Sequence, residues 1–212
     1  MFASCAKRAE HFPRSGVVTV LVLSTARLTL SLPRENQAAA MLDFVTRNRD
    51  HLKPWNPPEP EGLYTLAHWH GVVEKSIVAF NNGTALRLWM SPIDQPDMII
   101  GSIGFSQIFR GPFCSCVLGY QIDEAHEGQG LMTEALREAI RYMFTEQKLH
   151  RIAANYRPEN IRSGRLLAGL GFRIEGFAKD YLFIDGAWRD HVLTSIANDA
   201  FNAGWLRETA KL

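Results

Sequence analysis

The sequence predicts an α+β protein, a mixed and mostly antiparallel central sheet flanked by helices. Three observations predict it. Three β-rich runs follow one another between residues 84 and 122, separated by short turns. At Gly128 the apolar spacing changes to that of a helix, with Leu131, Ala135, Leu136, Ala139, Ile140, Met143 and Phe144 on one face. A strand, a helix and two further β runs then close the chain, and elements interleaved in this way pack as helices on the faces of a sheet.

Taken in order, residues 1–15 are polar and irregular and read as an N-terminal tail, 16–200 as a single domain and 201–212 as a C-terminal tail. VVTVLVL (17–23) and RLTLSL (27–32) are β runs, the second with period-two alternation, and Pro33 stops it. Ala39, Met41, Leu42, Phe44 and Val45 repeat at helical spacing. That helix gives way to HLKPWNPPEPEG (51–62), which reads as a loop because of Pro54, Pro57, Pro58 and Pro60. A second helix is expected from about Leu63 to Phe80, ending at Asn81-Asn82-Gly83. TALRLWM (84–90), MIIGSIGFSQI (98–108) and CSCVLGYQI (114–122) then form an antiparallel meander. After the helix that follows Gly128 and Gly130 come a strand at HRIAANY (150–156), a helix over Asn160–Ala168, and two β runs around the turn Asp185-Gly186.

Composition narrows the function. With 212 residues, 46% hydrophobic and 21% charged, the chain is long enough and apolar enough for one substantial core. Its formal net charge of +1 argues against a protein that coats nucleic acid through a general positive field. Three cysteines, Cys5, Cys114 and Cys116, are too few for a disulfide framework or a four-ligand zinc site, so a reducing cytoplasm is the expected home and no metal is expected. Cys114 and Cys116 share a strand face and read as small packing hydrophobes. His68 and His70 lack partners for a metal. The apolar run 17–23 is too short to span a bilayer and lacks a signal cleavage pattern, which predicts no membrane association.

The chemistry points to EAHEGQGLMTEAL (124–136). A strand ending near Ile122, then Gly128 and Gly130, then a helix, makes an anion site: glycines admit the ligand and the first helical turn presents unpaired amides at its positive end. No lysine or arginine stands in the stretch. A Walker A loop is excluded because Leu131-Met132-Thr133 follows Gly130 where Lys and Ser/Thr are needed, and a dinucleotide fingerprint because Thr133 replaces its third glycine. On the dipeptide alone, a ligand-free helix start is the competing reading.

EGQGLMTEALREAIRYMF (127–144), HRIAANYRPENIRSGRLLAGLGF (150–172) and YLFIDGAWRDHVL (181–193) resemble the GNAT superfamily of acetyl-CoA-dependent N-acetyltransferases. With HLKPW (51–55), they resemble most its RimJ/RimL type, and the resemblance runs from about Val17 to Ala197. It implies the acyl-CoA N-acyltransferase fold. It also implies acetyl-CoA as donor, the amino-terminal alanine of a small-subunit ribosomal protein as acceptor, and direct attack of the amine on the thioester. Two positions depart from the superfamily pattern: Ala125 stands where Gln or Arg often precedes the first glycine, and Leu167 where many members carry a tyrosine general acid.

The resemblance implies a role for each site residue. Backbone amides across Glu127, Gly128, Gln129, Gly130, Leu131, Met132 and Thr133 would hold the pyrophosphate. The strand ending at Gln121 and Ile122 would splay from HRIAANY and bond the pantetheine arm, one amide polarising the thioester carbonyl. Asn160 and Ser163 match an N-x-x-S element, the first contacting CoA and the second protonating the leaving thiolate. From the residues alone, Asn160 is also a helix N-cap and Ser163 a small packing residue. Glu124 is the candidate base, with Asp123, His126 and Glu127 as competitors or simply solvated groups. Trp55 either walls an acceptor cleft or anchors its loop in the core, and Tyr181 with Arg189 would face the acceptor. Two rival functions stand beside this one: acetylation of another protein N-terminus or a small amine, and a non-catalytic CoA-binding ribosome assembly factor that would use Arg157, Arg162 and Arg165 against RNA. The residues do not give the oligomeric state.

Overall fold

The computed structural model describes residues 20–204. The expected tail at 1–15, the start of the first β run and residues 205–212 lie outside the described residues. Eight strands form one sheet in the order β1-β2-β3-β4-β5-β6-β8-β7. They are β1 (Val22–Ser24), β2 (Leu28–Ser31), β3 (Leu86–Pro92), β4 (Gly101–Phe109), β5 (Ser115–Ile122), β6 (Arg151–Tyr156), β7 (Arg173–Ile184) and β8 (Ala187–Ala197). Neighbours run antiparallel except β5 and β6, which are parallel because a helix carries the chain from one to the other.

The helices are α1 (Ala38–Arg47), α2 (Arg49–Leu52), α3 (Leu66–Asn81), α4 (Leu131–Thr145) and α5 (Ile161–Gly169). Side chains alternate across a strand, so adjacent residues of a sheet covered on both sides enter different cores. Leu88 and Trp89 do so on β3. Leu88, with Ile103, Phe105 and Leu118, packs beneath Leu136, Ala139 and Met143 of α4 and Leu167 of α5. Trp89, with Ile99, packs against Met41 and Phe44 of α1 and Trp69 and Val73 of α3.

Two boundaries differ from the sequence reading. HLKPW is helical: α2 runs to Leu52 and a 3₁₀ turn covers Lys53–Trp55. Proline lacks only an N–H that the first turn of a helix leaves unbonded, so Pro54 is compatible with it. The loop proper begins at Asn56. α3 starts at Leu66, three residues later than expected, since the Thr65 hydroxyl accepts from the His68 amide and caps it. α4 starts at Leu131, where the apolar stripe begins, because both preceding glycines have left-handed backbone.

One feature of the sheet positions the site. β5 and β6 pair only through Ser115–Arg151, Cys116–Ile152 and Val117–Ala153. Beyond Val117, β5 continues along β4 to Ile122 while β6 follows β8 to Tyr156. The two strands part, and the backbone of residues 118–122 has no strand neighbour on that side.

Candidate active site

The cleft left by the parting strands ends at the glycine turn. Asp123 closes β5: its amide donates to the Ile100 carbonyl at 2.8 Å, and its carboxylate, nearly buried, takes a 2.8 Å bond from Arg47 Nε and accepts from the Ala125 amide at 3.1 Å. A 3₁₀ turn, Glu124–His126, leads to Gly128 at φ 72° and Gly130 at φ 76°. A Cβ at Gly128 would meet nothing within 4 Å, so the space over the turn is open. Gly130 is the N-cap of α4 and offers no side-chain acceptor. The first helical bond runs from the Glu134 amide to the Gly130 carbonyl at 3.0 Å, leaving the amides of Leu131, Met132 and Thr133 ahead of it. The backbone of this turn thus presents unpaired amides beside open space, the arrangement an anion site uses.

The fold also brings the cations that the stretch lacks. Arg27, between β1 and β2, donates to Glu134 at 2.7 Å and to the Gln129 carbonyl at 3.1 Å, and its Nη2 is 3.7 Å from the place a Gly130 Cβ would take. Arg162 of α5 pairs with Glu127, whose other oxygen lies 3.4 Å from His51 Nε2. Desolvation opposes the charge on Glu134, but bonds from Thr25 and Arg27 outweigh it and hold that carboxyl below the usual glutamate range. Arg27 thus both braces the turn and faces the anion site. Arg27→Ala is expected to raise KM for acetyl-CoA about fivefold with kcat little changed, because a half-exposed ion contact is worth up to about 1 kcal/mol; steady-state kinetics checks it.

On the far side of the cleft, Asn160 caps α5 by accepting the Ser163 amide at 3.0 Å, as an N-cap should, and its amide nitrogen has no bond within the described residues. Ser163 Oγ lies 2.5 Å from Tyr120 Oη of β5. Tyr120 was not singled out by the sequence: one tyrosine in an alternating strand carries no signal until the fold puts α5 opposite it. Burial pushes its phenol up to about 12. Leu167, in the place of the family's tyrosine, is buried in the core and not in the cleft. Gly164 is required by close approach, since a Cβ there would sit 2.9 Å from the Tyr156 ring.

The opposite rim is formed by the segment after α2 and the β7–β8 hairpin. Trp55 is 36% exposed and belongs to neither core cluster, which removes the core-anchor reading. Arg157, at the end of β6, lies 5.4 Å over its ring and donates to the Pro54 carbonyl at 2.6 Å. Asn56 Nδ2 reaches Gln121 Oε1 at 3.3 Å, and Gln121 donates to Ser102 at 3.2 Å. Tyr181 is exposed, with its hydroxyl accepting from Asn155 at 2.9 Å and its ring 5.2 Å from His191. Arg189 turns away to the Ile184 and Asp185 carbonyls and staples the hairpin. Glu124 is exposed, and its amide is held by Asn48 Oδ1 at 2.9 Å. Ile122 ends β5 beside Gly101.

Other chemistries find less support. Cys114 and Cys116 are buried in the core, and burial pushes the Cys116 thiol up to about 12, far from a nucleophile's range. Among the described residues no group of three or more His, Cys, Asp or Glu side chains could hold a metal, and no helix is long and apolar enough to cross a membrane.

A sheet parted between parallel strands, ending in an amide-lined turn and overlooked by a capped helix, defines an acyl-CoA-dependent acyltransferase. The chain belongs to the acetyltransferase (GNAT) domain family, whose model matches residues 27–173. It is 44% identical over 182 residues to the [ribosomal protein uS5]-alanine N-acetyltransferase of Escherichia coli, covering 86% of this chain and 93% of that enzyme. Among solved structures it superposes on the ribosomal-protein-S5-alanine acetyltransferase of Vibrio fischeri with TM-score 0.82 at 35% identity, covering 86% of this chain and 99% of that one. Mycobacterium smegmatis RimJ in complex with CoA-disulfide gives TM-score 0.78 at 29% identity, covering 90% and 94%. The donor of the family is acetyl-CoA, and the open turn and the unpaired edge of β5 fit its pyrophosphate and pantetheine.

Proposed function

We propose that this protein transfers acetyl from acetyl-CoA to the amino-terminal alanine of a small-subunit ribosomal protein in the cytoplasm. The acetyl-CoA half of this reading is supported by the cleft. The acceptor half is carried by one observation, the 44% identity that spans 93% of the uS5-alanine enzyme.

The amides from Gly128 to Thr133 bind the pyrophosphate, with Arg27 beside them, whereas the Glu127 amide expected among them is taken by the Glu124 carbonyl at 3.2 Å; Asn160 contacts CoA through its free amide nitrogen. The edge of β5 at Gln121 and Ile122 takes the pantetheine as an added strand would. One preorganised amide there, aimed at the thioester oxygen, lowers the barrier by on the order of 3 kcal/mol. An α-amino group has a pKa of about 7.7–8.0, so a sizeable minority is neutral near pH 7 and little base strength is needed. Glu124, exposed at the foot of β5, takes the proton through water. The neutral amine attacks the carbonyl, the C–S bond breaks, and Ser163 gives the thiolate its proton. Trp55 and Tyr181, both exposed on the rim opposite α5, line the acceptor chain.

The test is a panel of short peptides identical but for residue one, incubated with acetyl-CoA and weighed by mass spectrometry. Alanine-initiated peptides are expected to gain one acetyl group on the α-amine at a kcat/KM at least tenfold above lysine-initiated ones. Turnover of small amines with none of the alanine peptides would move the acceptor to that class, and CoA binding without any transfer would support the assembly-factor reading.

A further inference from the structure

We propose that the proton delivered to the leaving thiolate comes from a two-hydroxyl relay in which Tyr120 is the donor behind Ser163. The inference rests on the acetyl-transfer reading above and adds the residue that makes Ser163 competent.

The fold leaves this reaction an acid problem. Leu167, one turn beyond Ser163 on α5, is sealed in the core and offers no proton. Ser163, one turn into α5, is an aliphatic alcohol and far too weak an acid to protonate a thiolate unaided. A phenol is much stronger, and Tyr120 presents one to it across the gap between β5 and α5 at 2.5 Å. That separation is at the short end for hydroxyl pairs, and either hydroxyl can be the donor. Tyr120 lies past Val117, on the part of β5 that β6 no longer pairs, so the pair spans the cleft itself. Neither oxygen has a second bond among the described residues. If Tyr120 donates to Ser163 Oγ, the Ser163 hydrogen is left without a partner among the described residues and can be given to the leaving sulfur.

The titratable neighbour is Tyr156 of β6, whose ring packs on Gly164 beside Ser163. Burial keeps the Tyr120 phenol protonated at any pH near neutrality, so the donor is always loaded. The step balances. The Ser163 Oγ–H bond breaks as S–H forms on CoA, and the Tyr120 proton moves to Oγ. The phenolate recovers its proton through water from Glu124, which took it from the newly acetylated nitrogen, so one proton leaves nitrogen and one arrives on sulfur.

The experiment uses the full chain with acetyl-CoA and an alanine-initiated peptide. Tyr120→Phe is expected to lower kcat about 30-fold with KM for acetyl-CoA within twofold, a magnitude inside the range of acid–base catalysis. Ser163→Ala should lower it by at least as much, and the double variant should be no worse than Ser163→Ala alone, as for residues acting as a unit. Because Tyr120→Phe can also disturb packing, a second arm replaces Tyr120 with 3-fluorotyrosine, nearly the same size but more acidic. The relay predicts that kcat then falls on the alkaline side at a lower pH than in the wild type, since the donor is lost sooner. Additive losses in the double variant, Tyr120→Phe within twofold of wild type, or an unmoved alkaline limb would each overturn the relay. Failure of the wild type to acetylate any peptide would instead strike the acetyl-transfer reading.

Discussion

Ser163→Ala is expected to lower kcat for acetyl transfer by about 10²-fold while leaving KM for acetyl-CoA within a factor of about two, the usual loss when one positioned proton donor is removed. In the proposed mechanism Ser163 meets the cofactor at the end where the C–S bond breaks, so its hydroxyl matters when charge develops on sulfur and little before. Its amide caps onto Asn160, and alanine keeps that bond. The helix start is therefore preserved and the effect should fall on kcat. A small-residue packing role predicts otherwise: alanine would serve as well as serine, and kcat would hold. Rapid-quench measurement of the first turnover separates the chemical step from product release.

Gly130→Val is expected to raise KM for acetyl-CoA by about 10- to 100-fold. Gly130 sits at φ 76°, a left-handed conformation that a β-branched residue resists. Strain of about 1–3 kcal/mol corresponds to roughly that range of affinity if it is relieved by rotating the turn. Rotation swings the amides of Leu131 and Met132 away from the anion. The new side chain itself has room, since Arg27 is the nearest neighbour at 3.7 Å. The damage is therefore one of backbone direction, and circular dichroism should show the fold retained while CoA binding by calorimetry weakens. An unchanged KM would mean that the turn binds nothing, which is the ligand-free helix start that the two glycines alone also allow.

Much of the fold was legible because its signals are local. The meander over 84–122 follows from strand periodicity and turns, and α4 from an apolar stripe that begins where the glycines end. HLKPW misled because proline reads as a loop former, although a helix tolerates it in the first turn, where Pro54 stands. In the cleft the same divide holds. The glycine turn and the N-x-x-S segment are contiguous and could be read directly. Arg27 could not, since more than a hundred residues separate it from the carbonyl it bonds at Gln129. Tyr120 was hidden for the same reason: its meaning depends on Ser163, and only the chain's return through β6 and α5 sets them face to face. The apparent lack of positive charge in EAHEGQGLMTEAL is answered by the first turn of α4 and by Arg27 and Arg162, which tertiary structure brings to it.

The central claim is that acetyl-CoA lies in the gap between β5 and β6 with its phosphates on the glycine turn. Amide hydrogen exchange of the full chain, with and without CoA, tests it most directly. CoA is predicted to slow exchange in residues 118–122 and 127–133 while leaving the β7–β8 turn at Asp185 and Gly186 unchanged. Protection confined to other segments, with the glycine turn exchanging as before, would contradict the account.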